Sequence, residues 1–362
     1  MAHRNEPAVV CVPARDEVER LPRLIRSLAA QECYSEADRL RVVVVANNCS
    51  DGTVQAVETM IAGNETASLE VRLIETTFAS QAAHVGTARR LALNTGAEWL
   101  DADGCEDGVL LTTDADAWLP LTWVAANLRA LAAAEIVGGR LVIAYEREPD
   151  PAVARLNDRI ERYWQAVRAL EEQLDPPAHD PAPRHGDHTG ASLALRADLY
   201  RGVGGLPLLD RGEDNALVAR VQEQGGRLRH CPDVFVRVSD RAEGRAKGGM
   251  APEMARRRLA ASCEDAYLLP ATEHWHGLVL RRAALRRYWP AAATAPGWSE
   301  VARRFELGDE DHAAISPGSC ANAIAFVERT SRRLEARTAE PPLQDLDAAL
   351  ASFDRMLGEG AP

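Results

Sequence analysis

The chain has 362 residues, is 46% hydrophobic and 27% charged, and carries a formal net charge of −12. At roughly 150 residues per domain this implies about two domains with ample buried core, so disulfides and structural zinc are not needed for stability. The acidic balance excludes a surface given over to nucleic acid, which demands a positive field, but leaves room for a small positive pocket.

The seven cysteines form no C-x-x-C pair, so the expectation is a reducing, cytoplasmic setting. No charged-then-apolar leader is present. The longest apolar candidate, 119–137, is broken by Asn127, Arg129 and Glu135, so no integral membrane segment is expected.

The first half alternates strand-like and helix-like segments. Residues 8–12 are a short apolar run, and 17–30 place Val18, Leu21, Leu24, Ile25 and Leu28 at helical spacing. Strand 41–45 precedes a helix over 51–61, and strand 69–74 precedes a helix over 81–96 for which Gly96 is a candidate cap. Strand 109–113 leads to a helix over 120–134 with Pro120 in its first turn, then to strand 136–145. Continuous apolar strands joined by helices predict an α/β fold, a mainly parallel sheet with helices on both faces. In such sheets ligands sit beyond the carboxyl ends of the strands.

Residues 152–174 read as a long amphipathic helix, and 175–188, DPPAHDPAPRHGDH, as a flexible Pro-rich loop that either caps a site or is simply solvated. A strand at 191–195, a helix at 215–224 and a short strand at 234–238 follow. From about 252 onward the chain reads as helices only, the last over 343–357.

Several segments can carry chemistry. VLLTTDADAWLP runs an apolar strand directly into Asp114-Ala115-Asp116. Two carboxylates at i and i+2 in a turn can hold one hard divalent cation, Mg²⁺ or Mn²⁺, through oxygen. Three other D-x-D pairs, Asp101/Asp103, Asp309/Asp311 and Asp345/Asp347, follow no buried strand and fit a solvated role. VVCVPARDE ends the first strand in Pro13-Ala14-Arg15 and has neither the G-x-G-x-x-G nor the P-loop pattern of common nucleotide sites. After the second strand, Asn47 and Asn48 are positioned to hydrogen-bond a base or ribose, and Asp51 is the expected N-cap of the next helix. In RGEDNAL, Glu213 and Asp214 are either helix-start acids favoured by the macrodipole or a general base within reach of a hydroxyl. VSDRAEGRAKGGM gathers Arg241, Arg245 and Lys247 in a loop that suits a diphosphate or is a solvated turn.

Taken in order, PARDE, NNCSDGT, HVGTARRLAL (84–93), TTDADA, HTGASLALR (188–196) and GED (212–214) resemble the family 2 glycosyltransferases with the GT-A fold, over about residues 8–250. The resemblance implies a glycosyltransferase domain at 1–250 and a helical C-terminal extension at 251–362. It implies that Pro13, Ala14, Arg15 and Glu17 line a nucleotide site, with Asp114 facing ribose or metal and Asp116 holding the metal. It also implies Asp214 as catalytic base with Glu213 beside it, and 188–192 near donor sugar and acceptor. The family's usual acidic pair after strand two is here Ala46-Asn47, where Asn47 can still accept a hydrogen bond. A third metal ligand is not assigned; His230 and the His274/His276 pair are the candidates.

The expected reaction is metal-dependent inverting transfer from a nucleotide-diphosphate sugar to an acceptor hydroxyl of unknown identity. Arg241 and Arg245 would help neutralise the leaving diphosphate. The alternatives are a scaffold that binds nucleotide sugar without turnover and a sugar nucleotidyltransferase. The latter would carry a Gly-rich phosphate loop after strand one, which this chain lacks.

Overall fold

The computed structural model describes residues 6–145, 147–241, 250–263 and 266–359. Its first elements are β1 (Ala8–Ala14), α1 (Leu21–Ala29), β2 (Leu40–Asn47), α2 (Thr53–Ala62), β3 (Leu69–Thr76), α3 (Val85–Ala102), β4 (Val109–Thr112), α4 (Trp123–Leu131) and β5 (Ile136–Ala144). Then come α5 (Pro151–Leu174), β6 (Leu193–Arg196), α6 (Ala197–Gly202), α7 (Glu213–Glu223) and β7 (Leu228–Ser239). The remainder comprises α8 (Met250–Cys263), β8 (Leu268–Pro270), α9 (Thr272–Ala292), α10 (Ala295–Phe305), α11 (Asp309–Ile315), α12 (Ala323–Glu335), β9 (Leu343–Asp345) and α13 (Leu346–Glu359).

Seven strands form one sheet in the order β3-β2-β1-β4-β6-β5-β7. All its pairings are parallel except those of β6, which runs antiparallel to both β4 and β5. This is the expected mainly parallel sheet. The antiparallel insertion sends the start of β6 toward the carboxyl end of β4, because Leu193 pairs with Thr112. Residues just before β6 therefore reach the ligand side of the sheet.

The strands are apolar throughout because both faces are covered. Val10, Val12, Val42, Val44 and Leu111 share a core with Leu24, Ile25, Val57 and Trp123 of α1, α2 and α4. On the other face, α3 packs on Val9, Cys11 and Leu110. Gly96 is the point of closest approach: a Cβ there would lie 2.9 Å from Cys11 Sγ and 3.1 Å from a Leu110 methyl. Gly96 is thus not a helix cap; α3 continues through it to Ala102. Gly96→Val is expected to lower the unfolding midpoint through overpacking worth about 1–3 kcal/mol. Gly96→Ala should cost less, since alanine recovers roughly 1 kcal/mol of helix propensity; denaturant titration of both variants checks the ranking.

Other boundaries shift for local reasons. α1 begins at Leu21, after a turn in which the Arg20 and Leu21 N–H groups donate to the Glu17 carbonyl at 3.1 and 2.9 Å. α4 begins three residues after Pro120. The C-terminal region is not helices only, because β8 and β9 pair antiparallel. Leu343, read as the first apolar residue of the last helix, belongs to β9.

Packing divides the chain into two units. The first takes the described residues of Met1–Arg147, His185–Val218 and Leu228–Glu253; the second takes those of Glu148–Arg184, Ala219–Arg227 and Met254–Pro362. This division departs from a single boundary at 250. The apolar stripe of α5 (Leu156, Ile160, Tyr163, Val167, Leu170) packs in the second unit with Leu346, Leu350 and Phe353 of α13. Within the second unit, residues 175–184 are anchored by the Arg184 side chain, which ion-pairs with Glu171, Glu172 and Asp180.

Candidate active site

β1 and β2 end side by side, with Pro13 paired to Val45 and Ala14 to Ala46. Residues of a parallel strand direct both backbone groups to one neighbour, alternately. The Cys11 carbonyl accepts from Thr113 on the β4 side, so Pro13 also faces that side. It lies beyond the last β1–β4 pair, Cys11 with Thr112, and its missing N–H costs no ladder bond.

The loops after β1 and β2 are stapled together. Asp16 (φ 49°) accepts the Ser50 N–H at 2.6 Å, and the Glu17 N–H donates to Thr53 Oγ1 at 2.8 Å. Asp51 Oδ2 accepts the Val18 N–H at 3.1 Å. Asp51 is not the N-cap of α2; that residue is Gly52, although Asp51 Oδ1 accepts the Thr53 N–H at 3.0 Å. Arg15 donates from Nη1 to the Ala83 carbonyl at 3.1 Å, and its Nε is buried without a hydrogen-bond partner. Asn47 is 3% exposed at the end of β2. Asn48 binds both the N–H and the carbonyl of Phe78, fixing the β3–α3 connection.

The D-x-D turn follows β4. Ala115 and Ala117 enter the core, so the alternating Asp114 and Asp116 turn away from it. The turn is held by a two-way backbone bridge between Trp118 and Arg237 of β7, both bonds 3.0 Å. Burial, and then the neighbouring Asp114 charge, raise the Asp116 pKa to about 6, against the pull of Arg241. Arg241 donates to Asp116 Oδ2 at 2.8 Å and to Glu17 Oε1 at 2.9 Å, so it bridges two of the expected donor-site carboxylates. Arg245 lies outside the described residues.

The raised pKa has a consequence for stability. Between about pH 4 and 6 the native state holds a proton on Asp116 that the unfolded chain, near 3.8, has already lost. Stability from this group is therefore full below about pH 4 and is lost as pH rises through about 6. Asp116→Asn should flatten that decline, measured as the difference in unfolding midpoint between pH 4.5 and 7.

Glu213 and Asp214, adjacent at the start of α7, point differently. Glu213 is 4% exposed, and burial followed by the Asp214 charge raises its pKa while Arg89 opposes. Asp214 is less buried; its Oδ2 accepts the Gly190 N–H at 2.7 Å and its Oδ1 the Asn215 N–H at 2.8 Å. The 188–192 segment is thus tied directly to Asp214. His188 at its start hydrogen-bonds His230 ring to ring at 3.0 Å, and Ser192 Oγ accepts from the Trp123 indole at 3.0 Å.

The residue that sequence reasoning left without a role is Arg89. It is 3% exposed on α3 and donates to Asp114 Oδ1 at 2.6 Å, Thr112 Oγ1 at 2.8 Å, the Gly190 carbonyl at 2.7 Å and Glu213 Oε1 at 3.4 Å. Its signal was present: Arg89 shares the apolar face of α3 with Ala88, Ala92, Leu93 and Gly96. A charge on a buried stripe needs partners.

The donor set suits a hard cation. Asp114 and Asp116 offer carboxylate oxygens close enough for one charge to disfavour the other, which a divalent ion would relieve. Among the described residues no group of three or more His, Cys, Asp or Glu gathers to hold a metal, so the structure supplies no third protein ligand. His230 is engaged with His188, and His274 meets Trp275 edge to face within the second unit.

Residues 9–179 match the model of Glycosyl transferase family 2. Among solved structures, a mannosyltransferase, PcManGT from Pyrobaculum calidifontis in complex with GDP-Man and Mn2+, is 18% identical with a TM-score of 0.47, over 93% of this chain and 89% of that one. TarS 1-349 of S. aureus in complex with UDP-GlcNAc is 14% identical with a TM-score of 0.46, over 93% and 96%. The glucosyl-3-phosphoglycerate synthase of M. tuberculosis is 15% identical with a TM-score of 0.37, over 71% and 81%. No curated protein matches the chain. No helix among the described residues is long and apolar enough to cross a membrane.

Proposed function

We propose that this glycosyltransferase moves a sugar from a nucleotide-diphosphate donor to an acceptor hydroxyl with inversion, with help from Mn²⁺ or Mg²⁺. The observation supporting this reading is the convergence of Asp114, from the end of β4, and Glu213, from the start of α7, on one buried guanidinium, with Asp214 one residue away through Gly190. Every one of these residues lies in the first unit.

Pro13, Ala14, Arg15, Glu17 and Asn47 line the nucleotide side, where the unpartnered Arg15 Nε–H suits an acceptor oxygen of the donor. Asp116 and Asp114 would hold the metal, which supplies positive charge against the leaving diphosphate. Arg241 adds a second cation at Asp116 and Glu17.

Asp214 takes the proton of the acceptor hydroxyl. The hydroxyl oxygen forms its bond to the anomeric carbon on the face opposite the diphosphate. The bond from that carbon to the phosphate oxygen breaks, and the nucleoside diphosphate leaves with the electron pair. Two backbone N–H groups hold the Asp214 carboxylate in place for this step.

Donor hydrolysis in water tests the reading without knowledge of the acceptor. UDP- and GDP-sugars are incubated with protein and Mn²⁺, and nucleoside diphosphate release is followed. Slow release that stops on chelation is expected for one donor class. Binding with no release from any donor would replace the transferase with a pure binder.

A further inference from the structure

Arg89 joins two halves of the site that the chain itself separates widely. Glu213 lies 124 residues from it and Gly190 101 residues from it. The Gly190 backbone lies close against the guanidinium: a Cβ on Gly190 would sit 2.4 Å from Arg89 Cζ and 2.7 Å from its Nε. Any larger residue at 190 must displace either the arginine or the loop. On its other side, Gly190 donates its N–H to Asp214 Oδ2 at 2.7 Å.

The geometry demands a guanidinium. Its five N–H donors lie in one rigid plane and can meet Asp114, Thr112, Gly190 and Glu213 at once, whereas an ammonium is a point charge on a flexible stem. The partners in turn keep Arg89 charged, since Asp114 and Glu213 outweigh its burial.

We propose that Arg89 is a positioning residue for glycosyl transfer. By binding Asp114 directly and Asp214 through Gly190, it sets the donor-side and acceptor-side carboxylates in one fixed mutual geometry. This rests on the reading of Asp214 as base and Asp114 as donor-side acid. The effect belongs to the chemical step: a displacement of roughly 1 Å between reacting groups can cost about 10²-fold in rate.

The test is a double-mutant cycle. Arg89→Gln, Arg89→Lys and Gly190→Ala are made alone and with Asp214→Asn, and kcat, donor KM and thermal midpoint are measured. Arg89→Gln is expected to lower kcat about 10²–10³-fold, but less than about tenfold in the Asp214→Asn background, because groups acting as one unit are strongly non-additive. Arg89→Lys should recover the thermal midpoint but not kcat. Gly190→Ala leaves the charge of Arg89 intact and should still lower kcat with little change in KM. If Arg89→Gln does not fold, Gly190→Ala carries the cycle. Equal losses with and without Asp214→Asn, or full kcat in folded Arg89→Lys and Gly190→Ala, overturn the inference. Wild-type protein that turns over no nucleotide sugar overturns instead the reading on which it stands.

Discussion

Asp214→Asn is expected to lower kcat by roughly 10²–10⁴-fold, the usual contribution of a positioned general base, while donor affinity stays within about threefold. The amide keeps the size of the carboxylate, and its oxygen can still accept the Gly190 N–H now bonded at 2.7 Å. It cannot take a proton from the acceptor. The proposed donor contacts lie with Arg15, Asp114 and Asp116 instead, so binding should survive. Steady-state kcat with donor affinity from thermal shift distinguishes the two. Full activity in Asp214→Asn would remove the base assignment. Glu213→Gln provides the contrast: Glu213 is buried against Arg89, so its loss should lower the thermal midpoint as well as the rate.

Asp116→Ala is expected to abolish the Mn²⁺-dependent part of nucleotide binding. In the wild type, a nucleotide at 100 times its Kd should add about 2.7 kcal/mol. In a chain of 362 residues that is a rise in midpoint of roughly 3–4 °C. The variant should show only the metal-independent remainder, and chelation should bring the wild type to the same level. The ligand-free variant should remain folded. Asp116 is a carboxylate whose ionised form is disfavoured by burial and by Asp114, and Arg241 keeps Glu17 as a partner when Asp116 is gone. Running UDP and GDP in parallel identifies the donor class. An unchanged Mn²⁺-dependent shift in Asp116→Ala would move the metal elsewhere.

Local pattern made much of the molecule readable. The apolar runs at 8–12, 41–45 and 109–113 became β1, β2 and β4, because a strand buried on both faces needs no partner to declare itself in sequence. The D-x-D turn stood out from three similar pairs because only it follows such a strand. The base candidate was visible as two acids opening a helix after a glycine-rich turn. Errors came where local signals are ambiguous. Gly96 resembled a helix end, yet the reason for a glycine there is the sulfur of Cys11, 85 positions earlier in the chain and 2.9 Å from where a Cβ would be.

The sequence by itself determined the strand and helix order over residues 8–145, the carboxyl-end loops that carry polar side chains, and the carboxylates and arginines available there. These follow from periodicity and turn chemistry, which act over a few residues. Only the tertiary structure decided that β6 runs antiparallel between β4 and β5, and that Arg241 spans Asp116 and Glu17. It also decided that one arginine of α3 gathers Asp114, Gly190 and Glu213. A hydrophobic pattern reports which face of an element is buried but not what it is buried against. The partners of a buried charge are set by the topology that brings distant segments to the same end of the sheet.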